Sequence, residues 1–136
     1  NPADRGKADL IDALNFSQRT LGFVNAPAIM QRTVAGIQRA TVDVDTYRAK
    51  RDLLYGALTE IGYECVKPDG AFYLFPKSPL PVDTEFVDEL KKEFVLVVPG
   101  TGFGTPGHFR ASYCVDDWVI EGSIQGFRRA FENAMR

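Results

Sequence analysis

One stretch limits the folds open to this chain more than any other. From Pro99 to Gly107, nine residues hold four glycines and two prolines, and an apolar run lies on either side. Proline removes a backbone donor and glycine costs order in a helix or strand, so no regular element can run through such a stretch. It must be an irregular loop. Ahead of it, Val95–Val98 is apolar throughout, as a buried strand is. Behind it, His108–Val115 alternates as a strand does, with Phe109, Ala111 and Tyr113 on one face and Arg110 and Ser112 on the other. The spacing predicts two strands joined by one glycine-rich connection.

Helices occupy the other end. From Asp4 onward Leu10, Ala13, Leu14 and Ser17 recur at helical spacing. The run Leu21–Pro27 breaks that pattern, and Pro27 suits the first turn of a second helix, which would turn Ile29, Met30, Val34 and Ile37 inward and end near Ala40. Asp43 or Asp45 can cap a third, with Tyr47, Leu54, Leu58 and Ile61 on its apolar face and Gly62 as its stop. The period then changes: Tyr63–Val66 and Ala71–Phe75 are expected to form a hairpin across the turn Pro68-Asp69-Gly70. Pro76–Pro81 is a loop. Asp83 is expected to cap a helix carrying Phe86, Val87, Leu90 and Phe94. Asp116 and Asp117 are expected to cap a closing helix with Ile120, Ile124, Phe127, Phe131 and Met135 on one face. The order gives an α+β fold, a small mainly antiparallel sheet covered by helices, with a helical N-terminal segment.

Composition removes several functions. Sixteen basic side chains against eighteen acidic leave a net charge of -2, so bulk charge does not recruit nucleic acid. The longest apolar run, Phe94–Pro99, is far too short to span a bilayer, so no membrane partner is expected. Cys65 and Cys114 make neither a disulfide framework nor a metal-ligand spacing. With that cysteine usage and no leader ahead of Asn1, a cytoplasmic location is expected. His108 is the only histidine, which excludes a metal site built mainly from imidazole, and no nucleophile-elbow pattern accompanies it. The loop lacks the Gly-Lys-Ser/Thr ending of a phosphate loop and opens no helix, so a nucleotide site is rejected. Because Asn1-Pro2 carries no methionine, the start is expected to be a processed or cut end.

Arg110 is the residue with the most to say. It follows the glycine-rich loop in a small, apolar strand, where it is either an ordinary solvent-facing residue or a bidentate clamp for a carboxylate.

At this point a family pattern becomes visible. The stretch VVPGTGFGTPGHFRASY, Val97–Tyr113, resembles the C-terminal signature of the pyridoxal-phosphate-dependent class I/II aminotransferases. PDGAFYLFPK, Pro68–Lys77, looks like the hairpin of that family's small domain, and RTLGFVNAPAIMQ, Arg19–Gln31, is similar to its interdomain segment. The resemblance implies a fold-type-I small domain at residues 26–136 and a remnant of the large cofactor-binding domain at residues 1–25. It also implies that Arg110 grips the substrate α-carboxylate and that Phe72 lies near that site, although Phe72 can equally be core packing. Asn25 would lie near a dimer interface. Arg19 stands close to where some members read a second carboxylate, but the local sequence departs from that pattern and a salt bridge is the simpler role. The intact enzyme would be a homodimer moving an amino group between an amino acid and a 2-keto acid.

Family hallmarks are missing from these residues. None of the six lysines has the Ser-x-x-Lys setting of the family's Schiff-base lysine, and Lys50, in a charged helical run, reads as solvated. No catalytic residue, metal ligand or cofactor-binding residue is therefore expected on this chain, and no pyridoxal phosphate is expected on it alone. The alternative is a self-standing α+β module that binds a small carboxylate through Arg110.

Overall fold

The computed structural model describes residues 6–22 and 25–136, which divide into two units, one ending at Val42 and one spanning Asp43–Arg136. The first holds α1 (Lys7–Leu21) and α2 (Ala28–Gly36). Gly22 closes α1 with φ 81°, a left-handed conformation that glycine adopts without strain. The apolar residues expected to turn inward from α2 do not: Ile29, Met30, Val34 and Ile37 are all more than half exposed, from 51% to 73%. Helical spacing reveals which residues share a face; it carries no information about what, if anything, lies against that face. Phe23 and Val24, within the expected break, lie outside the described residues, as do Asn1–Arg5.

The second unit runs α3 (Val44–Ile61), β1 (Tyr73–Leu74), α4 (Asp83–Lys92), β2 (Val98–Pro99), a 3-10 turn (Gly100–Phe103), β3 (Phe109–Ser112) and α5 (Asp117–Ala134). The sheet is antiparallel in the order β1-β3-β2. Asp43 caps α3, its carboxylate accepting from the backbone N–H groups of Asp45 and Thr46, and Gly62 ends the helix with φ 118°. Leu54 and Leu58 of α3 enter the core with Leu74, Phe86, Leu90, Phe109, Ile120 and Phe127. Tyr63 sits at the centre of this core. Its ring meets Phe131 at 4.8 Å and Phe109 at 5.7 Å, and its hydroxyl donates to the Phe127 carbonyl at 2.9 Å. Burial pushes the Tyr63 phenol well above its ordinary pKa, so it stays neutral and remains a donor. Helix α5 reaches the segment after α4 through Gly126: a Cβ there would lie 2.6 Å from Val95 Cγ2 and 2.9 Å from the Glu93 carbonyl oxygen.

Several expected elements differ. The hairpin across Pro68–Gly70 does not form, because β1 pairs with β3, which offers a buried partner face (Leu74 opposite Ala111). Tyr63–Val66 meets that region through a single backbone bond, from the Lys77 N–H to the Glu64 carbonyl at 2.8 Å. Of Val95–Val98 only Val98 is in a strand, and Leu96 is 83% exposed, so this apolar run is not buried on both faces. Phe94 lies beyond α4 in a left-handed turn with φ 59°, its ring almost wholly exposed, because the Val95 N–H closes the helix end onto the Leu90 carbonyl at 2.9 Å. At the start of α4 the N-cap is Val82; Asp83 occupies the first helical position and directs its carboxylate elsewhere. Asp116 stands at the N-cap of α5 without a side-chain cap bond, and Met135 lies past its end and is exposed.

Candidate functional site

The alternation around Arg110 holds in three dimensions. Phe109 and Ala111 are buried while Arg110 and Ser112 face away from the core. Pairing places Val98 opposite Arg110 and Tyr73 opposite Ser112, so these four residues share the outer face of the sheet. The Lys77–His108 bridge continues the β1–β3 register and brings Phe75 onto the same face, with its ring stacked on His108 at 5.8 Å and 17°.

Arg110 is half-buried among aromatic rings. Its guanidinium carbon lies 4.4 Å from the ring centroid of Tyr73 and 4.2 Å from that of Phe103. A cation over an aromatic face is attracted by the ring quadrupole, and arginine suits this because its planar head is only weakly hydrated. Rings do not satisfy N–H donors as a carboxylate does. Among the described residues no hydrogen bond and no ion pair engages the Arg110 N–H groups, whereas most other basic side chains of this unit meet a carboxylate. The arrangement is a fixed, planar, cationic donor set without an internal anion, which can receive a carboxylate through two parallel hydrogen bonds.

Phe72 is 42% exposed, so core packing does not account for it. Its ring lies against Tyr73 at 4.6 Å, and its carbonyl accepts from the Tyr113 N–H at 3.1 Å. Phe72 and Arg110 each contact Tyr73, and no contact joins them directly among the described residues. Sequence reasoning passed over Tyr73 and Phe103. For Tyr73 the signal was available in the strand alternation of Ala71–Phe75; for Phe103, inside the glycine-rich loop, no periodicity could have revealed it.

That loop is tightly held. Gly100 is buried, its N–H donates to the His108 carbonyl at 2.8 Å and its carbonyl accepts from the Thr105 N–H at 3.0 Å. A Cβ at Gly100 would lie 2.3 Å from the Thr105 carbonyl oxygen and 2.8 Å from that of His108, so only glycine fits. Thr101 is bound to the first residue of α4: its N–H donates to Asp83 Oδ2 at 2.7 Å and its hydroxyl reaches the same carboxylate at 2.8 Å. Burial pushes the Asp83 carboxyl up, and the Thr101 hydroxyl and N–H together with nearby amides pull it down further, leaving it below the ordinary 3.8. His108 Nδ1 lies 3.3 Å from the Pro106 carbonyl oxygen, a weak contact as expected for a histidine without chemistry.

The lysines have other work. Lys50 is not solvated as the sequence reads: its Nζ donates to the Val115 carbonyl at 2.6 Å and faces Asp117 at 3.6 Å. Lys67, Lys77, Lys91 and Lys92 each meet a carboxylate within 3.1 Å, and Lys7 is exposed on α1.

The family described as aminotransferase class I and II matches residues 6–125 of this sequence. The chain belongs to that family. A solved aminotransferase from Eubacterium rectale superposes with a TM-score of 0.85 at 43% identity, covering 96% of this chain and 33% of the other. Among curated relatives, the aspartate aminotransferase of Bacillus subtilis is 37% identical over 65% of this chain and 25% of its own length. The LL-diaminopimelate aminotransferase of Nitratidesulfovibrio vulgaris is 41% identical over 57% of this chain and 21% of its own. The chain thus spans about a quarter of the length of the curated relatives it matches. A self-standing carboxylate-binding module finds no support in these comparisons. No helix among the described residues is long and apolar enough to cross a membrane.

Proposed function

We propose that this chain supplies the carboxylate-gripping part of an aminotransferase, and that the polypeptide to which it belongs moves an amino group between an amino acid and a 2-keto acid. Both substrates carry an α-carboxylate, so one clamp serves both half-reactions. The observation that carries the reading is Arg110, held by Tyr73 and Phe103 with no acidic partner among the described residues. Gripping one end of a small substrate removes much of its rotational freedom, which is a large part of what an oriented site contributes. In this reading Phe72, which contacts Tyr73, stands near the site.

The family implies pyridoxal phosphate in the intact enzyme, but the residues present do not fit it. A lysine that condenses with an aldehyde must present a neutral, unpaired amine. Lys50, Lys67, Lys77, Lys91 and Lys92 are each paired with a carboxylate, and Lys7 stands exposed on a helix. No chemical step is therefore derived on this chain. In this reading residues 1–25 belong with the large domain, 26–136 form the small domain, and the intact enzyme is a homodimer.

Two measurements test this. In the full-length polypeptide, Arg110→Ala should raise KM for the amino acid at least tenfold and leave the cofactor's absorbance unchanged; a KM within twofold of the parent removes Arg110 from its role. The 136-residue chain, mixed with pyridoxal phosphate, an amino acid and a keto acid, should give no turnover. Measured transamination by it would overturn the assignment of the chemistry to residues outside it.

A further inference from the structure

Asp83 is an unusual residue for its place. Acidic residues at a helix start are favourable while exposed, through the helix dipole alone. Asp83 is instead 2% exposed, and no lysine or arginine among the described residues pairs with it. Burying a charge without a counter-ion is costly unless hydrogen bonds replace the lost water. Beyond the amides at the start of its own helix, those bonds come from one residue: the Thr101 N–H at 2.7 Å and the Thr101 hydroxyl at 2.8 and 2.9 Å from the two oxygens. The chain therefore spends a buried charge on fixing Thr101 to α4.

The object of that fixation lies two residues further on. Gly100 is pinned to His108, just ahead of β3, and to the loop through Thr105, and Thr101 is pinned to α4, so the 3-10 turn Gly100–Phe103 is held at one end from two sides. Phe103 leaves that turn with its ring 46% exposed, 4.2 Å from the Arg110 guanidinium carbon and edge-on to Phe75 at 6.3 Å. Beyond it come Gly104 with φ 72° and Gly107 with φ 76°. The Thr101 bonds are the side-chain tie between α4 and the turn that carries Phe103.

We propose that Asp83 and Thr101 form a latch that positions Phe103 over Arg110, and that both are positioning residues for capture of the substrate carboxylate. The inference rests on the carboxylate-clamp reading of Arg110. The latch acts before the ligand arrives: it holds the guanidinium against Tyr73 and Phe103, so less side-chain freedom is lost on binding. It also ties the geometry of the clamp to the N-terminus of α4, a helix whose own side chains are not otherwise near Arg110 in the described contacts.

The test uses the full-length polypeptide, with KM and kcat for the amino-acid substrate, the Kd of propionate as a simple carboxylate, and a thermal melt for every variant. Thr101→Val removes the hydroxyl, and Phe103→Leu removes the ring while leaving the latch intact. Each should raise KM and the propionate Kd about three- to tenfold, the size of one cation–π contact, with kcat within about twofold. Thr101→Ser should restore the parent values. Because both act on one contact, the double variant should be no worse than the worse single. Should Thr101→Val fail to fold, Asp83→Asn carries the same expectation for KM and Kd. A lowered Tm with unchanged KM and Kd would make the latch merely structural and overturn the proposal, as would fully multiplicative effects in the double variant. Arg110→Ala separates the two readings: if it weakens propionate and Thr101→Val does not, the latch fails alone; if neither does, the clamp itself has failed.

Discussion

Two glycines on one helix provide an internal measure of how tightly α5 is packed. Replacing a helix-interior glycine by alanine gains about 1 kcal/mol, from helix propensity and from a less flexible unfolded chain. At Gly122 nothing lies within 4 Å of the new methyl, so Gly122→Ala should show that gain undiminished. At Gly126 the same methyl would sit 2.6 Å from Val95 Cγ2 and 2.9 Å from the Glu93 carbonyl oxygen. Carbon atoms settle about 3.5–4.0 Å apart, so the Val95 contact is roughly 1 Å too close. Val95 can turn its methyl away, but Glu93 presents backbone, which yields only by moving the segment after α4. Overpacking of this kind costs about 1–3 kcal/mol. The propensity gain is common to both sites and cancels in the comparison, so Gly126→Ala should be about 1–3 kcal/mol less stable than Gly122→Ala. For a unit of this size each kcal/mol moves Tm by about 4–8 °C. Thermal melts followed by circular dichroism should therefore place Gly122→Ala above the parent and Gly126→Ala at or below it, with at least about 4 °C between them. Equal rises in both variants would refute the close approach of α5 to Val95.

Other consequences can be measured on the same chain. Tyr63→Phe removes the buried hydroxyl bond to the Phe127 carbonyl and should lower stability by about 1 kcal/mol in a denaturant titration, with the aromatic core otherwise intact. Asp52 is held at a pKa of about 2 by hydrogen bonds and charge from Arg51 and Lys67, below the ordinary 3.8. A carboxyl depressed in the folded state contributes stability that is complete above its unfolded pKa and lost as pH falls through the folded one. Stability should accordingly decline between about pH 4 and pH 2, and Asp52→Asn should flatten that part of the profile; an unchanged profile refutes the pairing. Gly100→Ala should abolish the loop geometry, since both obstructing atoms are backbone oxygens at 2.3 and 2.8 Å, and the loss of the Phe103 contact should appear as weakened propionate binding in the full-length polypeptide.

The candidate site shows how sequence and structure divide the explanation. Arg110 was legible because a charged, planar side chain stood in a strand whose alternation turned it from the core, beside a glycine-rich connection. Phe72 was legible only as a neighbour by resemblance; its exposure and its contact with Tyr73 needed coordinates. Asp83 was read as an N-cap, a sound inference from local chemistry, and was claimed instead by Thr101, eighteen residues away. Local rules rank the uses a side chain can have with its chain neighbours, and a distant donor that buries the carboxylate outbids them.

The same division runs through the fold. The helices and the stop at Gly62 were legible in the sequence alone, because they follow from backbone preferences and short-range periodicity, and the family was legible from its motifs; the expected strand at Tyr63–Val66 did not form, and the glycine-rich stretch holds the end of β2 and a 3-10 turn. Which strand pairs with which was decided by tertiary structure: β1 joined β3 and left Tyr63–Val66 aside, since pairing depends on matching buried faces across distant segments. Tertiary structure also left Leu96, Phe94 and the apolar faces of α1 and α2 exposed, although their patterns read as inward. Periodicity assigns a residue to a face, and only packing determines what that face meets.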